Sequence, residues 1–139
     1  MRHTFVFTLL LLSLFICIHD VQSQPVEVDH EKLLGQWVRP DGGYILVIKN
    51  VRFDGSIEAE YLNPNKINIS KANASTESGK ISIFVELRDA GYPGSYYTLT
   101  YDKDTDRLVG VYHHLGINQN FDVYFVKELI GKMQKNKEI

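Results

Sequence analysis

The sequence predicts an all-β domain: an eight-stranded antiparallel up-and-down barrel with a short C-terminal helix, the alternative being a two-sheet β-sandwich. Three observations predict it. From Gly35 onward the apolar residues recur with a period of two, in short segments. Those segments are separated by hairpin-length turn signals such as Asp54-Gly55 and Asn63-Pro64. Between them no stretch has the length and helical period of a parallel crossover. Strands that follow one another through short links favour an up-and-down arrangement, and closing it removes edges that would otherwise pair with other chains.

The elements follow in order. Residues 33–127 make the barrel domain, opening on Leu33-Leu34-Gly35-Gln36-Trp37-Val38. The lone tryptophan is a plug for the closed end, and Gly35 lets the backbone pass close beneath its ring. Asp41-Gly42-Gly43 is a turn, and Tyr44 to Val51 is a strand apolar on both faces. Ile57, Ala59 and Tyr61 alternate with Glu58 and Glu60, and a weaker strand follows over Ile67 to Ala72. Ile81, Ile83, Val85 and Leu87 share one face of the next strand, with Glu86 and Arg88 on the other. Asp89 to Ser95 is a loop, Tyr97 to Tyr101 a strand and Asp102 to Asp106 a solvated turn; Leu108 to Tyr112 and Phe121 to Val126 complete the eight. Residues 128–139, with Leu129, Ile130 and Met133 at helical spacing, are a short helix and tail.

Ahead of the barrel, residues 1–23 have the layout of a secretory signal peptide. A basic head, Met1-Arg2-His3, precedes an apolar run from Thr4 to Ile18, and Val21-Gln22-Ser23 supplies the cleavage site. The run is shorter than the ~20 apolar residues of a membrane span, so no stable span is expected. The reading is therefore a secreted or periplasmic protein, with lipid attachment through Cys17 as the alternative. Residues 24–32 form a polar N-terminal arm, with Asp29 capping one turn of helix. Cut after residue 23, the 139-residue chain retains 116, enough for one core. Cys17 is the only cysteine and leaves with the leader, so folding proceeds without a disulfide. A formal net charge of −2 gives no basic face for nucleic acid.

Gly35-x-Trp37 on the first strand, with Phe121-x-Val123-x-Phe125-Val126-Lys127 on the last, resembles the pattern of lipocalins and avidins. The resemblance implies a tryptophan packed at the closed end of a barrel under a basic side chain from the final strand, here Lys127 in place of the usual arginine. The segment from Asp54 to Tyr61 looks nearer the compact avidin type. Biotin binding does not carry over, because biotin sites of that family use several tryptophans and this chain has one. The segments Arg39 to Tyr44, Tyr61 to Pro64 and Val85 to Ser95 are similar to a group of exported bacterial proteins of unassigned function. That similarity implies a periplasmic or surface setting and no activity.

Candidate ligand-binding residues are Arg39, Asp41, Asn63, Glu86, Arg88, Tyr92 and Tyr97, gathered from loops that could share one rim and from the tyrosines. Tyr92, within Gly91-Tyr92-Pro93-Gly94-Ser95, is read as a ring displayed on a rigid loop. Gly35, Trp37 and Lys127 are read as structural. Glu86 and Arg88 are an acid–base pair only if burial perturbs them, and they face water if the Ile81–Leu87 stripe faces inward. His113 and His114, adjacent on a strand, point to opposite faces and cannot share a metal; no metal and no cofactor are expected. Asn68 and Asn73 sit in glycosylation-type triplets.

The expected function is that of a non-enzymatic binding protein for a small apolar or amphipathic ligand, or for a surface partner. The alternatives are a filled structural barrel acting through its outer face or as a homo-oligomer, and a small-molecule enzyme using Glu86 and Arg88. Inward Ala59 and Gly110 leave room in such a barrel, whereas inward Tyr61, Tyr97 and Phe125 fill it.

Overall fold

A computed structural model describes residues 29–128. The expected signal peptide, the first part of the expected N-terminal arm and nearly all of the expected terminal helix lie outside the described residues. Of the arm, His30–Leu33 forms one 3₁₀ turn with Asp29 at its N-cap position. The Asp29 side chain makes no capping hydrogen bond; it pairs instead with Lys32 at 3.6 Å.

The domain is one antiparallel sheet of nine strands, not eight. They are β1 (Gly35–Val38), β2 (Ile45–Val51), β3 (Ile57–Asn63), β4 (Asn65–Ile67), β5 (Ile69–Glu77), β6 (Lys80–Asp89), β7 (Tyr92–Asp102), β8 (Arg107–His114) and β9 (Gln119–Glu128). The order across the sheet is β4-β3-β2-β1-β9-β8-β7-β6-β5. The ninth strand arises because the expected fourth is cut at Asn68. Pro64 folds Asn65–Ile67 back onto β3, in the register Tyr61↔Ile67, while the chain beyond Asn68 pairs with β6. The two edge strands are thus consecutive in the chain. They also approach again further along: Ala74 N donates to Gly55 O at 2.7 Å, and Ser56 and Asn73 form an isolated bridge.

Two further boundaries differ from expectation. The stretch Asp89 to Ser95 is not a loop: β6 runs to Asp89, β7 begins at Tyr92, and only Ala90-Gly91 turn between them. Gly91 takes φ +83°, which suits a two-residue hairpin. A register shift between Glu86 and Arg88 lets Pro93, which has no N–H, sit in the strand opposite Arg88. At the other end β9 continues past Lys127 through Glu128, which pairs with Gln36. Among the described residues no helix is long and apolar enough to cross a membrane.

Alternation sorts the side chains cleanly. Trp37, Leu46, Ile48, Tyr61, Ile83, Val85, Leu87, Tyr97, Leu99, Leu108 and Phe125 lie on the core face and are at most 2% exposed. Fully burying a large apolar side chain stabilises by about 1.5–3 kcal/mol, so this face is the main source of stability. The apolar outer positions of β2, Ile45 and Val47, are only half-buried. Trp37 is fully buried; its Nε1 donates to Leu33 O at 2.8 Å and its ring meets Tyr101 edge-on at 6.3 Å. Lys127 lays its ammonium 5.0 Å over the same ring and donates to Lys32 O at 2.6 Å. Gly35 beneath it has φ +121°, and a Cβ there would touch the Lys127 stem at 3.4 Å.

Two glycines separate the two reasons for having no side chain. A Cβ on Gly110 would stand 2.0 Å from Thr98 O, inside backbone that has no room to yield. Gly79, at φ +76°, has nothing within reach of a Cβ. Gly79→Ala should therefore cost about 1 kcal/mol, the strain of a left-handed residue. Gly110→Ala should cost at least about 3 kcal/mol, as overpacking plus a displaced ladder. Denaturant unfolding of the two variants checks this, and equal losses would contradict it.

Candidate functional site

One end of the sheet gathers the C-terminal ends of β1, β3, β6 and β8 with the starts of β2, β7 and β9. Arg39 follows β1 directly and points to the core face, where it is 8% exposed. A hairpin turn fixes it: Arg39 N donates to Tyr44 O at 2.8 Å and Gly43 N to Arg39 O at 2.9 Å, with Gly43 at φ +67°. The same turn carries Asp41 back over the guanidinium. Arg39 Nε donates to Asp41 Oδ1 at 2.8 Å and Nη2 to Oδ2 at 2.6 Å, a two-pronged pair. Nη1 donates to Tyr97 Oη at 3.0 Å, and Tyr97 shares a 2.8 Å hydrogen bond with Tyr61. The guanidinium also lies 4.4 Å over the Tyr44 ring and 5.9 Å from that of Tyr112, a cation–π setting.

The rings pack on one another. Tyr97 stacks on Tyr112 at 4.6 Å, Tyr61 lies 5.7 Å from Tyr97, and Tyr92 meets Tyr61 edge-on at 6.3 Å. Asn63 donates from Nδ2 to the Tyr92 hydroxyl. Between these groups lies a half-open cavity of about 310 Å³, lined by Arg39, Tyr44, Tyr61, Tyr92, Tyr97 and Tyr112, with Gly91 and His114 at its margin. Ser95, fully buried, accepts from Leu115 N at 3.1 Å and ties the neighbouring turn to this rim. That turn leaves Leu115 and Ile117 exposed. A larger groove of about 530 Å³ crosses the other end of the sheet, beside Tyr101 and Asp102. Of its acidic groups, Asp102 accepts from Asp104 N and the Thr105 hydroxyl, and Asp29 pairs with Lys32.

Charge and burial set the protonation states. Burial by itself lowers the Arg39 pKa, but the contacts to Asp41 and Tyr97 outweigh it and hold the guanidinium above its ordinary value. The hydrogen bond from Arg39 holds the Asp41 carboxyl below its usual range. Burial pushes the Tyr97 phenol up to about 12, against the opposing contacts of Tyr61 and Arg39, and raises Tyr61 further.

The candidate residues divide. Arg39, Asp41, Asn63, Tyr92 and Tyr97 come together at this end. Tyr92 is not displayed on a loop; it is a strand residue, half-buried against the core. Glu86 and Arg88 do not belong to the site. Val85 and Leu87 are fully buried, so Glu86 between them lies on the solvent face. There it pairs with Arg88 Nη2 at 2.9 Å and accepts from Ser70. These contacts hold the Glu86 carboxyl below its usual value, the opposite of what a buried general acid needs. Five lining residues were not among the candidates: Tyr44, Tyr61, Gly91, Tyr112 and His114. Tyr61 and Tyr112 share the alternation phase of buried Ile57 and Leu108, and each stands two residues before the end of a strand that finishes at the same rim, so counting antiparallel strand ends finds them. His113 turns outward to Thr98 and Asn120 while His114 turns inward. Among the described residues no three His, Cys, Asp or Glu side chains are placed to hold a metal ion. Asn68 is held by Asp89, and Asn73 lies in the β5–β6 ladder opposite Phe84.

The Arg39–Asp41 pair is asymmetric: the guanidinium is buried, the carboxylate side chain 59% exposed. Asp41→Ala leaves a buried cation without its counter-ion and should cost about 3 kcal/mol. Arg39→Met leaves an acid that rehydrates and should cost nearer ~1 kcal/mol. Urea unfolding of both tests the order, and a costlier Arg39→Met would refute it. The phenols add a pH dependence. The folded state holds the Tyr97 proton more tightly than the unfolded chain does. Its contribution is fully present below the ordinary value of 10.0 and is lost as pH rises toward about 12. The unfolding midpoint should fall through that window, and less steeply in Tyr97→Phe; parallel pH profiles would contradict the assignment.

No protein-family model, no curated protein and no solved structure matches this chain.

Proposed function

We propose that this is an exported, non-enzymatic binding protein. Its sheet closes into a barrel, and it takes a small apolar or amphipathic molecule into the tyrosine-lined mouth. The observation that carries the reading is the cavity itself: a buried arginine among five tyrosines, at one end of a sheet whose interior is otherwise filled. Tyrosine offers a rigid apolar face and one hydrogen-bonding tip, the combination that ligand sites use. The exposed Leu115, next in the chain to the lining His114, suits the apolar part of such a ligand.

Closure is supported by the continuity of β4 and β5 through Asn68 and by the hydrogen bond from Ala74 to Gly55. Taken together, β4 and β5 act as one bent strand shared between β3 and β6, which restores eight staves and joins the edges. Export is supported by the basic head, apolar run and small-residue cleavage site at the start of the sequence. The Trp37–Lys127 stack supports kinship with the lipocalin and avidin type of barrel.

A second reading has its own observation. Tyr61, Tyr97 and Phe125 fill the centre, while Val109 and Tyr124 stay exposed on the solvent face of β8 and β9. A filled barrel acting through that face, as an oligomer, accounts for both. Native mass spectrometry of the protein from its own host separates the two readings. A ligand site predicts an extra mass that leaves on denaturation and is missing from Tyr92→Ala. A bare chain running as a defined oligomer would replace the first reading with the second.

A further inference from the structure

A guanidinium has five N–H donors. Asp41 takes two from Arg39, on Nε and Nη2, and Tyr97 takes one, on Nη1. One donor remains on each of Nη1 and Nη2. Arg39 lines the cavity and is 8% exposed, so a group entering there meets those two donors with little competition from bulk water. What the donors select depends on Asp41. Its carboxylate is carried by a hairpin whose backbone is closed by Arg39, Gly43 and Tyr44, so the turn holds Asp41 beside the guanidinium. The positive charge is therefore already matched, and among the described residues no second Lys or Arg lines the cavity. The pair presents hydrogen-bond donors without net charge.

Each head-group class then fares differently. A carboxylate adds a second negative charge to one guanidinium, within aromatic walls that cannot solvate it. An ammonium faces the guanidinium directly. An uncharged carbonyl oxygen accepts from both donors and buries no charge, while a flat body lies against the rings of Tyr44, Tyr61 and Tyr112. Resting on the reading of this cavity as a ligand site, we infer that it takes uncharged planar molecules bearing an amide- or ring-carbonyl oxygen. Asp41 is the specificity-determining residue that turns carboxylates away.

Three probes with one ring and three head groups test this: benzamide, benzoate and benzylammonium. Each is titrated into the full chain while the NMR signals of the cavity tyrosines, assigned with Tyr→Phe variants, are followed. Benzamide should bind at least about tenfold more tightly than either ion, a difference of ~1.4 kcal/mol. In Asp41→Asn, which keeps an acceptor but loses the charge, benzoate should gain and overtake benzamide. Benzoate or benzylammonium binding the wild-type chain within tenfold of benzamide overturns the head-group inference and leaves the ligand site standing. An unchanged ranking in a folded Asp41→Asn overturns the role of Asp41. If that variant does not fold, the wild-type ranking decides. No shift of any cavity tyrosine by any probe removes the ligand site and this inference together.

Discussion

A cation taken out of water has to be surrounded, and at Arg39 the surroundings come from every part of the domain. Its own hairpin supplies Asp41 and Tyr44, β3 supplies Tyr61, β7 supplies Tyr97 and β8 supplies Tyr112. None of these is a neighbour in sequence except through the turn. The rim is therefore held by one polar centre that ties both halves of the sheet, where an apolar rim would have had only shape to fix it. Because the network has a single charge pair with one member in water, it costs less to desolvate than a fully buried pair. It also leaves two guanidinium N–H donors unused.

The two ends of the sheet divide the work. At one end Trp37, Tyr101 and Lys127 form a closed stack, with the indole and ammonium both committed to backbone carbonyls. At the other end the rings are spread around a cavity and the hydrogen bonding is incomplete. Between them Tyr97 and Phe125, in contact at 5.4 Å, fill the core face.

Alternation made most of the fold legible in the sequence. The stripes Ile81-Ile83-Val85-Leu87 and Tyr97-Leu99-Tyr101 fall on one face as the period of two requires, and that phase alone places Glu86 in water. What misled was turn chemistry. Pro93 and Gly94 read as a loop because proline lacks a ladder donor and glycine favours bends. A register shift accommodates both inside β7, and such a shift leaves no mark on composition. The break at Asn68 was hidden for a related reason: a change of pairing partner is a tertiary event, and the polar stretch around it looks like one weak strand. In the site, Arg39 and Asp41 were visible as residues but not as a pair. Tyr44, Tyr61 and Tyr112 passed for ordinary strand formers, because which strand ends meet at a rim follows from the order of the sheet, not from any local pattern.

Every ladder but one joins strands that are adjacent in the chain. The exception is β1 with β9, where Gln36 and Glu128 stand 92 residues apart. Hairpins close over short loops at little entropic cost, so the meander from β5 to β9 and the β1–β4 portion are each assembled from local contacts. Joining them requires the two ends of the domain to meet. The Trp37–Lys127 stack sits in that join, so it belongs to the last step of assembly. A nascent chain still short of Lys127 has both portions and the Arg39–Tyr97 contact between them, but not the complete β1–β9 ladder that joins them into one sheet.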